Sequence, residues 1–509
     1  MSKLAREEVR FLSLVLYPLS LASPLAHRDQ RLILSVGSPP PLLRRCGSRR
    51  GKRSVSETMR ESRRDFLATT TAAAAAPMIV PSTVFGRPGR PAPSDRVVVG
   101  TVGTGDLWHN HHFHEFKRRN RITFGPVCDV DRNRRDLAAK KILAEANRRV
   151  ETYSDFRDVC ERRDVDAVIV VTPDHWHALV ANYAMECGKD VYCQKPLTLD
   201  IDEGKTLVET ARRYGTVFQT GSQQRSDTRF RMACELVRSG VIGTLKQVHS
   251  HINGVDPGEW QQPTTPPPEL DWEMWLGPAP YTQYVPNRVH YQFRWFADFS
   301  GGKLTDWGAH HNDIAQWGIG ADGSGPVKVK ATGKFHENGP HDVAGTFDVY
   351  YTYGSEHGNV ELHCTSGNDD SVAGGDNGVK FVGSNGWVFV NRGRIEMQLD
   401  GKVFASDKKS KTAGDKAEDI FKAFPETSLK VQLYKSQDHH DNWLDCIASR
   451  QQPICNAEVG HRSVTVCHLG NIALKLGREL QWDPVAERFN SDEQANRLMS
   501  RPKRGPWTL

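Results

Sequence analysis

The run Arg96-Val97-Val98-Val99-Gly100-Thr101-Val102, followed at once by Gly103-Thr104-Gly105, limits the fold of this chain more than any other stretch. A β-branched run of this kind reads as a buried strand, and the glycines break it where a helical segment to Arg119 begins. A second strand from Arg121 to Asp129 follows at the distance that a strand–helix–strand unit requires. Units of this kind in series build a parallel sheet with helices on its faces.

The glycines also carry chemistry. Gly103 and Gly105 let backbone amides approach a pyrophosphate at a helix amino terminus, whose dipole favours the anion. The complete dinucleotide fingerprint has a third glycine where this chain has Trp108, so the motif is partial. Asp129 ends the second strand, where an acid hydrogen-bonds the adenosine ribose and repels a 2′-phosphate. That favours NAD over NADP, with Arg132 and Arg134 arguing the other way. The histidines of His109-Asn110-His111-His112-Phe113-His114 read as surface and packing residues rather than metal ligands.

A helix at 153–159 and a strand at 166–171 lead to Thr172-Pro173-Asp174-His175-Trp176-His177, a loop at the carboxyl end of a parallel strand, where such folds bind ligands. Helix 178–187 and strand 190–193 then place Lys195 between a strand end and Pro196. There an ammonium can sense a nicotinamide and shift toward neutrality. Strand 216–220 ends in Gly221-Ser222-Gln223-Gln224-Arg225.

Acid–base residues are densest in Gly301-Gly302-Lys303-Leu304-Thr305-Asp306-Trp307-Gly308-Ala309-His310-His311-Asn312-Asp313. Helical spacing puts Asp306 and His310 at i and i+4, where the carboxylate can orient the imidazole as a general acid/base. A satisfied polar contact is the plainer alternative. A metal site from His310, His311 and Asp313 ranks below both, because consecutive helical residues point about 100° apart.

The second half alternates strands at 246–253, 327–333, 344–353 and 358–364 with a hairpin at 378–382 and 386–390 around Ser384-Asn385. Helices follow at 439–449 and 461–476. Trp272, Trp275, Tyr281, Tyr284, Tyr291 and Trp295 offer faces for a sugar ring, with core packing the preferred reading for most of them. Beyond Trp482 the chain is polar, and Trp507 is a candidate partner contact.

The formal charge of +6 hints at nucleic acid, but its location removes the hint. Of 67 Lys and Arg and 61 Asp and Glu, 16 and 6 precede Asp95, leaving 51 and 55 in the body. A net of −4 there gives a nucleic-acid partner no electrostatic support. Ten cysteines without a CxxC pair indicate neither a disulfide framework nor a zinc ribbon. No apolar run reaches the length of a membrane span, so no integral membrane segment is expected.

Ser62-Arg63-Arg64-Asp65-Phe66-Leu67 and the uncharged stretch to Val80 look like a twin-arginine export signal, which implies a periplasmic or otherwise exported protein. Without that signal the location would be cytoplasmic. Met59 is then the expected start, 1–58 a disordered or over-extended segment, and 59–94 the signal and linker. A Sec-type signal at 11–26 is the less economical alternative.

Taken together, Gly103-x-Gly105, Asp129, Thr172-Pro173-x-x-x-His177, Lys195-Pro196, Gly301-Gly302 and Asp306-x-x-x-His310 resemble the Gfo/Idh/MocA oxidoreductase family over residues 95 to about 485. The resemblance implies an α/β chain: an N-terminal Rossmann dinucleotide-binding domain, 95–222, then an α+β substrate and oligomerisation domain, 223–485, on a large, open, mostly antiparallel sheet. Residues 486–509 would be a tail. It implies Lys195, Asp306 and His310 as the catalytic set. Gly103, Gly105, Asp129, Thr172, Pro173, His177, Lys195 and Gln223 would face the cofactor, NAD in preference to NADP. Gln224, Arg225, Arg294 and His311 would face a carbohydrate-like substrate, with no metal, and subunits would pair as a dimer or tetramer.

The chain departs from the pattern at Gln194, where the family has glutamate, and at Trp108. The expected activity is hydride transfer between a sugar, polyol or related hydroxyl compound and nicotinamide. An NAD-dependent glycosidase or epimerase with an internally recycled cofactor is the first alternative, and a non-catalytic sugar-binding protein the second.

Overall fold

The computed structural model describes Ala92 and residues 95–354, 358–367, 376–404 and 420–509. The expected extension and export signal lie outside the described residues, apart from Ala92. The rest belongs to the unit Gly86–Leu509.

Six parallel strands form the first sheet: β1 (Val97–Val102), β2 (Ile122–Cys128), β3 (Thr152–Tyr153), β4 (Ala167–Val170), β5 (Asp190–Cys193) and β6 (Phe218–Thr220). Their order, β3-β2-β1-β4-β5-β6, is that of a Rossmann domain. All four residues of both β4 and β5 are buried, as expected for central strands covered by helices on both faces. The expected helix at 153–159 is shorter, Phe156–Cys160, because Thr152 and Tyr153 pair with β2 instead.

Helices Arg132–Ala146, Ile201–Tyr214 and Thr228–Arg238 carry no strong expectation in the sequence, but the structure shows how they start. Asp131 accepts from the amides of Asn133 and Arg134. Asp200 accepts from the Glu203 amide at 2.9 Å, and Glu203 Oε2 accepts from the Leu199 amide at 2.8 Å, a reciprocal cap.

Among the described residues the second sheet has ten strands, with β7 (Leu245–His251), β8 (Lys328–Phe335), β9 (Ala344–Tyr353), β10 (Val360–Thr365), β11 (Gly378–Gly383), β12 (Gly386–Asn391), β13 (Arg394–Leu399), β14 (Lys402–Phe404), β15 (Leu480–Asp483) and β16 (Arg488–Phe489). The order is β14-β13-β12-β11-β7-β10-β9-β8-β15-β16. Among the described residues only the β7–β10 pair of this sheet is parallel, so the sheet is mostly antiparallel, and β11–β12 is the expected hairpin. Along β9 buried positions alternate with more exposed ones, the signature of a sheet with one face packed. Helices Gly308–Ile319 and Ala457–Leu476 cover that face with Ile314, Trp317, Val466 and Leu469 in a common core with Val349 and Leu362.

Two segments return to the nucleotide domain. Helix His439–Ser449 inserts Trp443, Leu444 and Cys446 among Trp108, Phe113, Ile169 and Tyr192. The C-terminal residues are not a detached tail, and Trp507 packs within its own chain: its ring lies 4.7 Å from Trp176 and 6.2 Å from Phe156. Arg504 Nε donates to the Gly277 carbonyl at 3.0 Å, and the Arg501 amide to Asp200 Oδ2 at 3.0 Å. The nine cysteines among the described residues are all free thiols. No helix among the described residues is long and apolar enough to cross a membrane.

Candidate active site

The phosphate loop follows β1. Gly103 has φ +89°, and a Cβ there would lie 2.6 Å from the backbone carbon and oxygen of Val171. Only glycine fits. Gly105 faces more open space, with Arg134 Nη1 the nearest atom at 3.5 Å. Trp108 is fully buried and packs 5.4 Å from Phe113. The residue at the third-glycine position therefore fills the core below the loop.

At the end of β2, Asp129 Oδ2 accepts from the Thr104 amide at 2.7 Å and the Thr104 hydroxyl at 3.1 Å. Oδ1 accepts from the Asp131 amide at 2.9 Å. Burial pushes the Asp129 carboxyl up, against these hydrogen bonds. Arg134 Nη1 pairs with Asp106 at 2.9 Å.

The loops after β4 and β5 are tied together. His177 places Nδ1 2.8 Å from the Pro196 carbonyl and Nε2 2.9 Å from the Thr172 carbonyl. Burial pulls this imidazole down to about 4, so one nitrogen donates at a time. Both ring nitrogens face main chain, so His177 positions the Lys195-Pro196 turn rather than touching a cofactor. The Lys195–Pro196 peptide is cis. Thr172 Oγ1 is buried without a hydrogen-bond partner among the described residues.

Lys195 reaches the acid–base motif of the second domain. Its Nζ donates to Asp306 Oδ1 at 2.7 Å and to the Asp306 carbonyl at 3.1 Å. Arg294 Nε lies 3.6 Å and Lys303 Nζ 3.9 Å from the same carboxylate. Burial alone would raise the Asp306 carboxyl, but Lys195, Arg294 and Lys303 outweigh it and hold it well below the usual range. This corrects the expected Asp306–His310 pair. Helix Gly302–Asp306 ends at Trp307 before helix Gly308–Ile319 begins, and Asp306 turns to an ammonium rather than to an imidazole. In a buried site a cation is the stronger partner for a carboxylate.

His310 is 4 % exposed, and its Nδ1 has no hydrogen-bond partner among the described residues. Burial first, then the charges of Lys195 and Arg392, hold its pKa well below the ordinary imidazole value. The ring is therefore neutral at neutral pH, the form that accepts a proton. His311 is fully buried, with Nε2 2.6 Å from Asn377 Oδ1.

Arg294 stacks 4.8 Å over the rings of both Tyr291 and Phe293, in reach of Asp306. Of the six aromatic residues, only Tyr281 and Tyr291 are exposed; the two-tryptophan stack of Trp272 and Trp275 is core. Arg225 is a correction. It is 2 % exposed and its guanidinium is committed to Asp313 at 2.7 Å and Asp322 at 2.8 Å, so it braces the fold and offers nothing to a substrate. Its neighbour Gln224 has both amide atoms buried without a partner among the described residues, while Gln223 is half-buried in the same 3-10 turn, Gln223–Ser226, after β6.

Asp174 was not singled out in the sequence. It begins helix Asp174–Glu186, accepts from the Ser300 hydroxyl, and lies within the field of Lys195, Arg294 and Asp306. Burial pushes its carboxyl up to about 7. An acid at the first helical position after a parallel strand was the available signal; its partner Ser300, 126 residues away, was not.

The residues fit a dinucleotide. A glycine-only turn at Gly103, packed against the Val171 backbone, and unpartnered polar atoms on Thr172 and Gln224 follow the carboxyl ends of β1, β4 and β6. Comparison with known proteins agrees. Residues 97–222 match an oxidoreductase family, NAD-binding Rossmann fold, and residues 228–391 and 393–509 match the C-terminal alpha/beta domain of the same oxidoreductase family. An inositol 2-dehydrogenase of Salmonella typhimurium is 28% identical over 183 residues, 35% of this chain and 53% of that protein. A glycosyl hydrolase family 109 protein of Shewanella putrefaciens is 29% identical over 171 residues, 33% of this chain and 37% of that protein. The chain thus spans about half or less of these curated relatives. The aldose-aldose oxidoreductase of Caulobacter crescentus, solved with glycerol, superposes with a TM-score of 0.55 at 18% identity, over 76% of this chain and 99% of that one, a likeness of fold.

Proposed function

We propose a function from one premise: the chain belongs to the Gfo/Idh/MocA oxidoreductase family. It oxidises a hydroxyl carbon of a sugar, polyol or related compound with NAD. The observation that carries this reading is the Lys195–Asp306 ion pair at 2.7 Å, which joins the carboxyl end of the parallel sheet to the motif holding His310. NAD, when bound, supplies the two-electron oxidant.

The chain's own residues do the rest. His310, neutral and with Nδ1 unpartnered, accepts the hydroxyl proton. Lys195, fixed by Asp306, donates to the substrate oxygen and stabilises the charge that develops there. Arg294 and Tyr291 offer a charged and a flat apolar surface for a polyhydroxylated ring. Gly103, Gly105 and Asp129 hold the dinucleotide, with Thr172 and Gln224 at the adjoining strand ends. The Asp129 carboxylate repels a 2′-phosphate and Arg134 is paired with Asp106, which supports NAD over NADP.

A second reading has a specific observation behind it, the likeness to glycosyl hydrolase family 109 proteins. In it the same residues oxidise and then re-reduce a glycoside, with no net redox change. The export motif around Arg63-Arg64 suits a protein that carries its cofactor with it. Purified protein incubated with NAD and a panel of polyols, aldoses and glycosides separates the two. NADH accumulation supports the first, glycoside cleavage without NADH supports the second, and neither refutes both. His310→Ala should lower kcat by about 10²-fold or more with NADH binding intact; unchanged turnover removes His310 from the mechanism.

A further inference from the structure

His111, His112 and His440 come together although 328 residues separate the last two. One ring nitrogen of each lies within 4.8 Å of the other two. His112 Nδ1 and His440 Nε2 are 3.3 Å apart. Two imidazoles bound to one zinc ion at about 2.0–2.1 Å with tetrahedral angles have their nitrogens roughly 3.3 Å apart. The backbone explains the convergence. Trp108–His112 is a π-helical turn, whose wider i→i+5 winding rotates successive residues by less than the roughly 100° of an α-helix. The His111 and His112 rings are accordingly 5.0 Å apart.

The surroundings are those of a ligand set. Gln194 Nε2 lies 2.7 Å from His112 Nε2, and Glu115 Oε2 lies 3.9 Å from His440 Nδ1. His112 thus has its second nitrogen in hydrogen-bond reach of a polar side chain, as metal-bound histidines do, while Glu115 stands near His440 without bonding it. His111 is the least buried of the three. Nearby His439 is excluded: its nitrogens lie 2.8 Å from the Thr220 carbonyl and 2.8 Å from Ser226 Oγ. The adjacent guanidiniums of Arg118, Arg119 and Arg121 are met by four carboxylates, Glu115, Asp438, Asp441 and Asp445, and Arg392 adds a further positive charge within the field of His111.

We propose that His111, His112 and His440 form a binding site for a divalent transition-metal ion of the zinc type, with one coordination position left open. The ion clamps the helix after the phosphate loop to helix His439–Ser449. His112 binds through Nδ1 and carries its proton on Nε2, so the Gln194 amide turns over to present Oε1. The exchange trades the 3.1 Å contact from the Lys195 amide for a charge-oriented hydrogen bond, and the two amide ends are nearly isosteric. It gives the glutamine that precedes Lys195 a purpose. The histidines that read as packing residues in the sequence are, at positions 111 and 112, ligands.

The test uses the untagged full chain, stripped with a chelator, equilibrated with zinc and dialysed, with metal content measured per chain. Wild type should retain one equivalent. His111→Ala and His440→Ala should retain essentially none, His114→Ala at an exposed position should retain all, and Gln194→Leu should bind about 10–100-fold more weakly. Cobalt in place of zinc should give the visible absorption of a low-symmetry site in wild type and lose it in His111→Ala. If His440→Ala fails to fold, His111→Ala at the partly exposed position carries the result. A wild-type chain that retains no zinc, or a His111→Ala chain that retains it all, overturns the assignment.

Discussion

Asp306→Asn keeps the side-chain volume and removes the charge that faces Lys195 at 2.7 Å, Arg294 at 3.6 Å and Lys303 at 3.9 Å. Side chains on both sides of the closest pair are 15% and 8% exposed, so solvent screening is slight. Removing one member of a buried ion pair costs about 3–5 kcal/mol, because the partner stays buried and uncompensated. With an unfolding entropy of about 2.1 cal/mol/K per residue over the unit Gly86–Leu509, each kcal/mol corresponds to roughly 1 °C, so Tm should fall by about 3–6 °C. The sign of the pH dependence is fixed. Asp306 is held below its unfolded value of about 3.9, so its contribution is present above that pH and is lost as pH falls through the folded value. Calorimetric melts of both proteins should show the full gap near neutrality and a shrinking one below about pH 4. A double-mutant cycle with Lys195→Met should give a coupling of about 1.5–3 kcal/mol. A gap of the same size at all pH values, or a coupling near zero, would refute the assignment of Asp306 as the anion that fixes Lys195.

Two further substitutions probe the neighbouring loops. Gly103→Ala drives a Cβ to 2.6 Å from the Val171 backbone at φ +89°, and should weaken NADH binding by about 10-fold or more in a fluorescence titration while the circular dichroism stays native. Asp174 has its folded pKa raised to about 7, so its stabilising contribution is complete below about pH 4 and is lost as pH rises through 7. Asp174→Asn should therefore gain on wild type between about pH 4 and pH 8, by at most about 4 kcal/mol; melts at those two pH values that show a constant difference would count against it.

The parallel sheet was legible because its signal is local. Val97 to Val102, Asp190 to Cys193 and the Asp129 terminus announce themselves within a few residues, and burial on both faces leaves no polar alternation to confuse them. The site was legible only in its parts. Lys195 and Asp306 each stood out, but the bond between them spans 111 residues, and the i,i+4 spacing suggested the wrong partner for Asp306. Arg225 was misread because a strand-end arginine looks the same whether it faces a ligand or two buried carboxylates, and Asp313 and Asp322 lie about 90 residues on. His440 gave no local signal at all, since its meaning comes from a π-helical turn more than 300 residues earlier.

Trp443 and its helix mates complete the hydrophobic core under the phosphate loop. The nucleotide domain is therefore contiguous in sequence but not self-sufficient in substance. A chimera exchanging residues 97–222 alone for those of a relative would inherit a loop without its floor, and the natural unit of exchange includes His439–Ser449. The packing of the helix after the phosphate loop is tied to a segment more than 300 residues on, so changes at Trp108 or Phe113 should be matched by changes at Trp443 and Leu444.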